Sequence, residues 1–336
     1  MFKLQKKPGQ DFTVLILGDP QVDYEIYGDS LDSKSMIRVT LDEVMNRITP
    51  DLIATTGDLA DEYGRDLYEY IIDYMDSLGI PWTTAMGNHD QEGNADTHEI
   101  MRMLKSTKNC IFDEGPEELG YGHFTIVIEE EGRPLSALIL MDSHRRQKFI
   151  NEKGEKDRYI VPFTEAQIDW YRTQVEMLKK MGCPDSTLFF HIPLHEFSLA
   201  WENALRVKYQ LDGVLPWEAA PFNIWNEGYE DSFGINFEKV ACHPESVKLF
   251  DVARELGHTK NIICGHDHKN CASVTYRGVR LTYALKTGCG GYYDTRQNGC
   301  TVLTMGECGV RDVHHEYVDM RETWYKNRGK GDKVTI

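Results

Sequence analysis

Apolar residues in this chain fall into short runs that stop at glycine or proline, separated by stretches with a three-to-four-residue period. Val14 to Leu17 predicts a strand ending at Gly18-Asp19. Ile37, Leu41, Val44, Met45 and Ile48 then share one helix face, closed by Pro50. The step repeats: Leu52 to Thr56 predicts a strand, and Leu67, Ile71, Met75 and Leu78 a helix stopped at Gly79 with Pro81 beyond. Trp82 to Met86 is a third strand. Successive β-α steps imply neighbouring parallel strands joined by right-handed crossovers. Further along, Tyr121 to Ile128 and Leu135 to Met141 predict an antiparallel hairpin around Glu129 to Pro134, with Glu129-Glu130-Glu131 as a solvated turn. Thr164 to Gln167 has the form of a capping box, opening a helix with Ile168, Tyr171, Val175 and Leu178 inward. Leu188 to Phe190 is a strand, Pro244 to Leu256 a helix, and Asn261 to Cys264 a strand. The stretches Ala272 to Tyr276, Val279 to Ala284, Thr301 to Met305 and Arg311 to Val318 predict an antiparallel meander.

Between residues 198 and 243 the periodicity fails, while Trp201, Trp217, Phe222, Trp225, Tyr229, Phe233 and Phe237 crowd in. Such a stretch inside a compact domain is either a lid or pocket insertion or plain loop packing. Residues 321–336, with Lys326, Arg328, Lys330 and Lys333, predict a mobile tail. The remaining residues, 11–320, are expected to form one domain. Composition is that of an ordinary globular protein, with 41% hydrophobic and 27% charged residues. No apolar stretch approaches bilayer length and residues 1–10 lack a signal-peptide core, so the expectation is a cytoplasmic protein with no membrane partner. A formal charge of -17 repels polyanions and argues against nucleic acid as a partner. Arg145-Arg146 with Lys148 is the one dense cationic patch near a strand end, read as a solvated loop or a phosphate contact. The eight cysteines are scattered, without a Cys-x-x-Cys pair, and are expected to be reduced.

The polar punctuation carries the chemistry. Five strand exits end in metal-type donors: Gly18-Asp19-Pro20-Gln21, Gly57-Asp58-Leu59-Ala60-Asp61, Gly87-Asn88-His89-Asp90, His191 after Phe190, and Gly265-His266-Asp267-His268. Open α/β folds build their sites at the carboxyl ends of strands. Two histidines at i and i+2 can face one metal from a turn, although the same turn alone reads equally well as polar punctuation. Five such exits in one chain favour a common metal centre with Asp58 at its middle.

These blocks, with His191-Ile192-Pro193-Leu194, resemble the signature blocks of the calcineurin-like metallophosphoesterase superfamily, in the family's order and over most of the chain. Met141-Asp142-Ser143, Gln167 with Trp170, and Leu285-Lys286-Thr287-Gly288 are similar to its purple-acid-phosphatase-like branch, which includes the type 29 plant enzymes. The resemblance implies an α/β (α+β) fold of four layers, a β-sandwich of two mixed sheets flanked by helices. It implies that Asp19, Gln21, Asp58 and His268 hold one metal ion, and Asp58, Asn88, His191 and His266 a second, drawn from Mn²⁺, Fe²⁺/Fe³⁺ or Zn²⁺. A hydroxide bridging the ions is then the nucleophile and His89 the catalytic histidine. The family commonly has histidine at the Gln21 position, and purple members have tyrosine where Asp61 stands. The implied activity is hydrolysis of a small phosphorylated substrate, a monoester ahead of a diester. A non-catalytic, protein-binding member of the fold is the rival. His195, Glu196, Tyr229 and Asn88 are candidate substrate contacts, and Asp23, His144, Tyr292 and the glycine-rich loop Gly288 to Tyr293 lie near the site in sequence.

Overall fold

The computed structural model describes residues 1–24, 26–27, 31–61, 64–150, 153–154, 156–205, 225–320 and 322. Its first strands are β1 (Phe2–Gln5), β2 (Phe12–Leu17), the short pair β3 (Ile26–Tyr27) and β4 (Leu31–Asp32), β5 (Leu52–Thr55) and β6 (Trp82–Thr84). The middle of the chain adds β7 (Phe124–Glu130), β8 (Arg133–Leu140), β9 (Arg146–Ile150), β10 (Lys156–Ile160) and β11 (Ser186–Phe189). The last are β12 (Thr259–Cys264), β13 (Ser273–Tyr276), β14 (Val279–Tyr283), β15 (Gly299–Gly306) and β16 (Gly309–Tyr317). The helices are α1 (Ser33–Met45), α2 (Arg65–Ser77), α3 (His89–Glu92), α4 (Thr97–Ser106), α5 (Glu165–Lys180), α6 (His195–Ala204) and α7 (Lys248–Leu256).

Two mixed sheets result, one of seven strands in the order β1-β7-β8-β11-β12-β14-β13 and one of five in the order β16-β15-β2-β5-β6. Strand alternation shows how they stack. Ile126, Ile128, Leu138, Leu140, Phe189 and Ile263 of the larger sheet share a core with Leu15, Leu17, Ile53 and Val302 of the smaller one. The intervening residues Val127, Ala137, Ile139, Leu188, Phe190 and Ile262 face a second core with Tyr171, Val175, Phe197 and Phe250 from α5, α6 and α7. Both faces of these strands are covered, which is why they read as unbroken apolar runs. Ile37, Leu41, Ile71 and Met101 of α1, α2 and α4 complete the first core. The four layers are helix, sheet, sheet, helix. No helix among the described residues is long and apolar enough to cross a membrane.

Several elements differ from expectation. The four late strands are not one meander: β13 and β14 close the larger sheet, whereas β15 and β16 extend the smaller one beside β2. Both pairs are hairpins, and the sequence between them does not say that the chain changes sheets. β7 and β8 turn tightly at Glu131-Gly132. Glu129 is therefore a strand residue, bound by Lys3 at 2.8 Å and Gln5 at 2.6 Å from β1, and Glu130 pairs with Lys6 at 2.7 Å. Because β1 pairs in parallel with β7, the fold begins ahead of residue 11. The region 198–243 opens inside α6, whose Phe197, Ala200, Trp201 and Ala204 face inward. Residues 225–243 are loops with isolated bridges; 206–224, with Trp217 and Phe222, lie outside the described residues, as does nearly all of the tail 321–336. The capping box at Thr164 and Gln167 is present.

Candidate dinuclear metal centre

The parallel strands of the two sheets deliver all five exits to one edge. Asp19 and Gln21 follow β2, Asp58 follows β5, Asn88 and His89 follow β6, His191 follows β11, and His266 and His268 follow β12. Asp58, His191 and His266 form one donor set; Asp19, Asp58 and His268 form another. Within each set the donor atoms lie within 4.8 Å of one another, and Asp58 belongs to both. His191 Nε2 stands 3.1 Å from Asp58 Oδ2 and 3.1 Å from His266 Nδ1. The terminal amide atom of Asn88 is 3.1 Å from that Nε2 and 2.9 Å from His266 Nδ1.

The loops are built for this approach. Asp19, Gln21, Asp58 and His266 all have positive φ, at 45°, 40°, 50° and 79°. For residues other than glycine this costs of the order of 1–3 kcal/mol each and concentrates at functional sites. Two glycines are needed for proximity: a Cβ on Gly87 would lie 2.1 Å from Asp58 Oδ1, and one on Gly265 2.4 Å from Asp19 Oδ2. Backbone donors fix the carboxylates. His89 N donates to Asp58 Oδ1 at 2.8 Å, and His266 N donates to Asp19 Oδ1 at 2.9 Å.

The lone pairs converge as cation ligands do. His191 Nδ1 lies 3.0 Å from the Thr56 carbonyl, and His268 Nδ1 2.7 Å from the Tyr292 carbonyl. Each Nδ1 must therefore carry a proton, which leaves Nε2 as the nitrogen that faces inward. Burial pushes His266 and His268 down to about 3, so both are neutral donors. Burial also opposes charge on Asp58, but His191 and His89 hold its carboxyl far below the usual range. At His191 burial is again overridden, by Asp58 and Asp19, and the pKa rises well above its ordinary value. The middle of the cluster is thus a place that attracts positive charge. Gln21 Oε1 is buried without a hydrogen-bond partner, within the same set of loops as His268. An orphaned amide oxygen, carboxylates and neutral imidazoles fit a pair of hard or borderline divalent cations.

The sequence profile described as calcineurin-like phosphoesterase matches residues 12–270. The chain belongs to the calcineurin-like phosphoesterase family. Among curated relatives, "Probable inactive purple acid phosphatase 14" of Arabidopsis thaliana is 26% identical over 271 residues, covering 72% of this chain and 60% of its own length. "Probable inactive purple acid phosphatase 29" of the same plant is 22% identical over 268 residues, covering 70% of this chain and 58% of its own length. The chain therefore spans about six tenths of the length of those relatives. A "Probable cyclic nucleotide phosphodiesterase" of Psychrobacter arcticus is 25% identical over 130 residues, or 39% of each chain. The fold is shared with a dimetal phosphatase from Danio rerio, with a TM-score of 0.53 at 12% identity over 91% of this chain and 99% of that one.

Around this family centre the other candidates take distinct places. His89 Nδ1 lies 3.1 Å from Asp61 Oδ1. Burial disfavours its charge, yet Asp58 and Asp61 raise the imidazole to about 9. Asp23 Oδ2 accepts the Gly291 N–H at 2.8 Å and so braces the glycine loop, while the Tyr292 ring stacks on His268 at 4.3 Å. His195 opens α6, 3.9 Å from Cys242 Sγ. Glu196 is buried and bound by the Ser246 hydroxyl, with Oε2 left unpartnered. Tyr229 is half-buried against the second core, and His144 Nε2 pairs with Gln167 at 3.0 Å.

Three supporting residues were not assigned roles from sequence. Asp90 accepts N–H bonds from Gly87 at 2.8 Å, Asp58 at 2.9 Å and Leu59 at 3.1 Å, locking two ligand loops together. Fully buried Lys286 donates through Nζ to the Asp19 carbonyl. Asp61, noted only for not being tyrosine, is the partner of His89. Since Asp61 is thus engaged and is no tyrosinate, the iron-loaded protein is expected to lack an intense visible charge-transfer band; a purple preparation in an absorption spectrum would contradict this.

Proposed function

We propose that the chain hydrolyses phosphate monoesters with two metal ions. The observation that carries this reading is the membership of Asp58 in both donor sets, with His89 hydrogen-bonded to it through the backbone and poised beside it. One ion fits Asp19, Gln21, Asp58 and His268, and the other Asp58, Asn88, His191 and His266. Two cations bound there would neutralise phosphate charge and acidify a water molecule. The protein supplies the rest. The loops fix the ester so that a water oxygen reaches phosphorus opposite the leaving group, and the phosphorus–oxygen ester bond breaks. Asp61 orients the His89 ring from Nδ1, so that Nε2 is the atom that hands its proton to the departing alkoxide.

The likeness to purple acid phosphatases supports the monoester over the diester, and the bacterial phosphodiesterase relative covers much less of the chain. The plant relatives are named inactive; against a non-catalytic role here stands a donor set complete but for the substitution of Gln21. Activity with Mn²⁺ on p-nitrophenyl phosphate and on bis-p-nitrophenyl phosphate tests the ranking. Faster release from the monoester is expected, and release from the diester alone would reverse it.

A further inference from the structure

Residues 225–243 are irregular, yet the last of them are strapped across the turn that carries His266 and His268. Phe237 N donates to the Lys269 carbonyl at 3.0 Å, Glu238 N to Asn270 Oδ1 at 3.0 Å and Ala241 N to Asp267 Oδ2 at 3.0 Å. The same Asp267 oxygen accepts the Tyr283 hydroxyl at 2.6 Å, which anchors the crossing in the second core. These bonds satisfy the backbone of a loop that no strand pairs. The Glu238 side chain does something more. Its Oε1 accepts the Lys269 N–H at 2.7 Å and the Tyr292 hydroxyl at 3.0 Å, and so joins the strap to the glycine-rich loop between β14 and β15.

Tyr292 is 43% exposed, so core packing does not account for its position. Its ring lies over the His268 imidazole, 4.3 Å between centroids and 14° between planes, and its carbonyl accepts the His268 Nδ1 proton at 2.7 Å. One residue thus fixes both the tautomer and the plane of a ligand, which is how outer contacts tune a metal site. Lys269 Nζ, 5.7 Å from the ring centroid, adds a cation–π attraction. Next along the chain, a Cβ on Gly291 would lie 2.7 Å from Gln21 Oε1 and 3.1 Å from His268 Cε1, so this loop fills the gap between those two donors. Both are assigned to the first ion. None of these contacts reaches Asn88 or His191, which are assigned to the second.

We propose that Glu238 and Tyr292 form a latch on the first metal site, through which residues 233–241 govern retention of that ion and not of the second. Tyr292 is then a positioning residue, holding His268 in its ligating pose, and Glu238 holds Tyr292. This rests on the dinuclear reading above and deepens it. A ring that must be ordered when the ion binds costs affinity, and the latch orders it beforehand.

The test is calorimetric titration of the metal-free chain with Mn²⁺, with paramagnetic resonance to separate a spin-coupled pair from an isolated ion. Tyr292→Ala keeps the carbonyl but removes the ring, and is expected to weaken one of the two ions by about 10 to 100-fold while the other binds as in the native chain. Glu238→Ala, at a half-buried loop position, leaves the ring in place and should weaken the same ion by about tenfold; Glu238→Gln, which still offers Oε1, should restore it. In Gln21→Ala, whose remaining ion is the second, adding Tyr292→Ala should change nothing further. Native affinity for both ions in Tyr292→Ala and Glu238→Ala, or equal weakening of the two, would overturn the latch. Fewer than two ions bound by the native chain would instead overturn the dinuclear reading, and p-nitrophenyl phosphate turnover by the native chain reports separately on the phosphatase activity.

Discussion

Asp58→Asn is expected to release both metal ions and to lower hydrolysis of p-nitrophenyl phosphate by about 10³-fold or more. Asp58 is the one side chain in both donor sets, so its charge is shared by two ions rather than spent on one. An amide keeps the size of the carboxylate and can still accept the His89 N–H, but it carries no negative charge and offers one good donor atom instead of two. The fold should survive, since the loop is held by backbone bonds from Asp58 and Leu59 to Asp90 rather than by the Asp58 side chain alone. Elemental analysis then separates this residue from its neighbour Gln21. Gln21→Ala removes a single neutral donor from one set and is expected to cost at most one ion per chain. Two ions retained in Asp58→Asn, with the rate unchanged, would show that any activity comes from elsewhere.

That contrast also explains how much of the site was legible in the sequence. Asp19, Asp58, His191 and His266 lie far apart along the chain, yet each follows an apolar strand run that stops abruptly, and parallel strands put such exits on one edge. The core was readable for the same reason: Leu138, Ile139, Phe189 and Ile263 are buried whichever face they take. What stayed hidden depends on pairing across sequence. Asp90 looks like a third ligand-type residue in its block, and only the folded loops show its carboxylate spent on three backbone N–H groups. Lys286 reads as a surface lysine until the Asp19 loop closes over it. The β9–β10 hairpin has exposed residues on both faces, so no alternation announces it, whereas α6 shows the helical spacing Phe197, Ala200, Trp201 and Ala204 amid aromatics that mask the period. The split of the last four strands between two sheets follows from hydrogen-bond partners that hydrophobic pattern does not encode.

His89→Asn is expected to lower turnover by roughly 10² to 10⁴-fold while leaving both metals in place, because His89 belongs to neither donor set and its proposed part is to supply a proton. Asp61 makes the finer test. Burial alone would push His89 down, and it is Asp58 and Asp61 that raise it to about 9, so the imidazole keeps its proton at neutral pH and can give it to the leaving oxygen. Cations bound at the neighbouring cluster lower that value in every variant alike. Activity that needs protonated His89 is present below its pKa and is lost as the pH rises through it. Asp61→Asn removes one of the two raising anions; the pKa falls, and the alkaline limb of the rate profile should move to lower pH by roughly one unit. The rate on the acidic plateau should fall by no more than about tenfold, since the ring loses its orienting charge but not its proton. Profiles of kcat against pH for the native chain and Asp61→Asn that superimpose on the alkaline side would remove His89 from the role of proton donor, whatever the metal content of the two proteins.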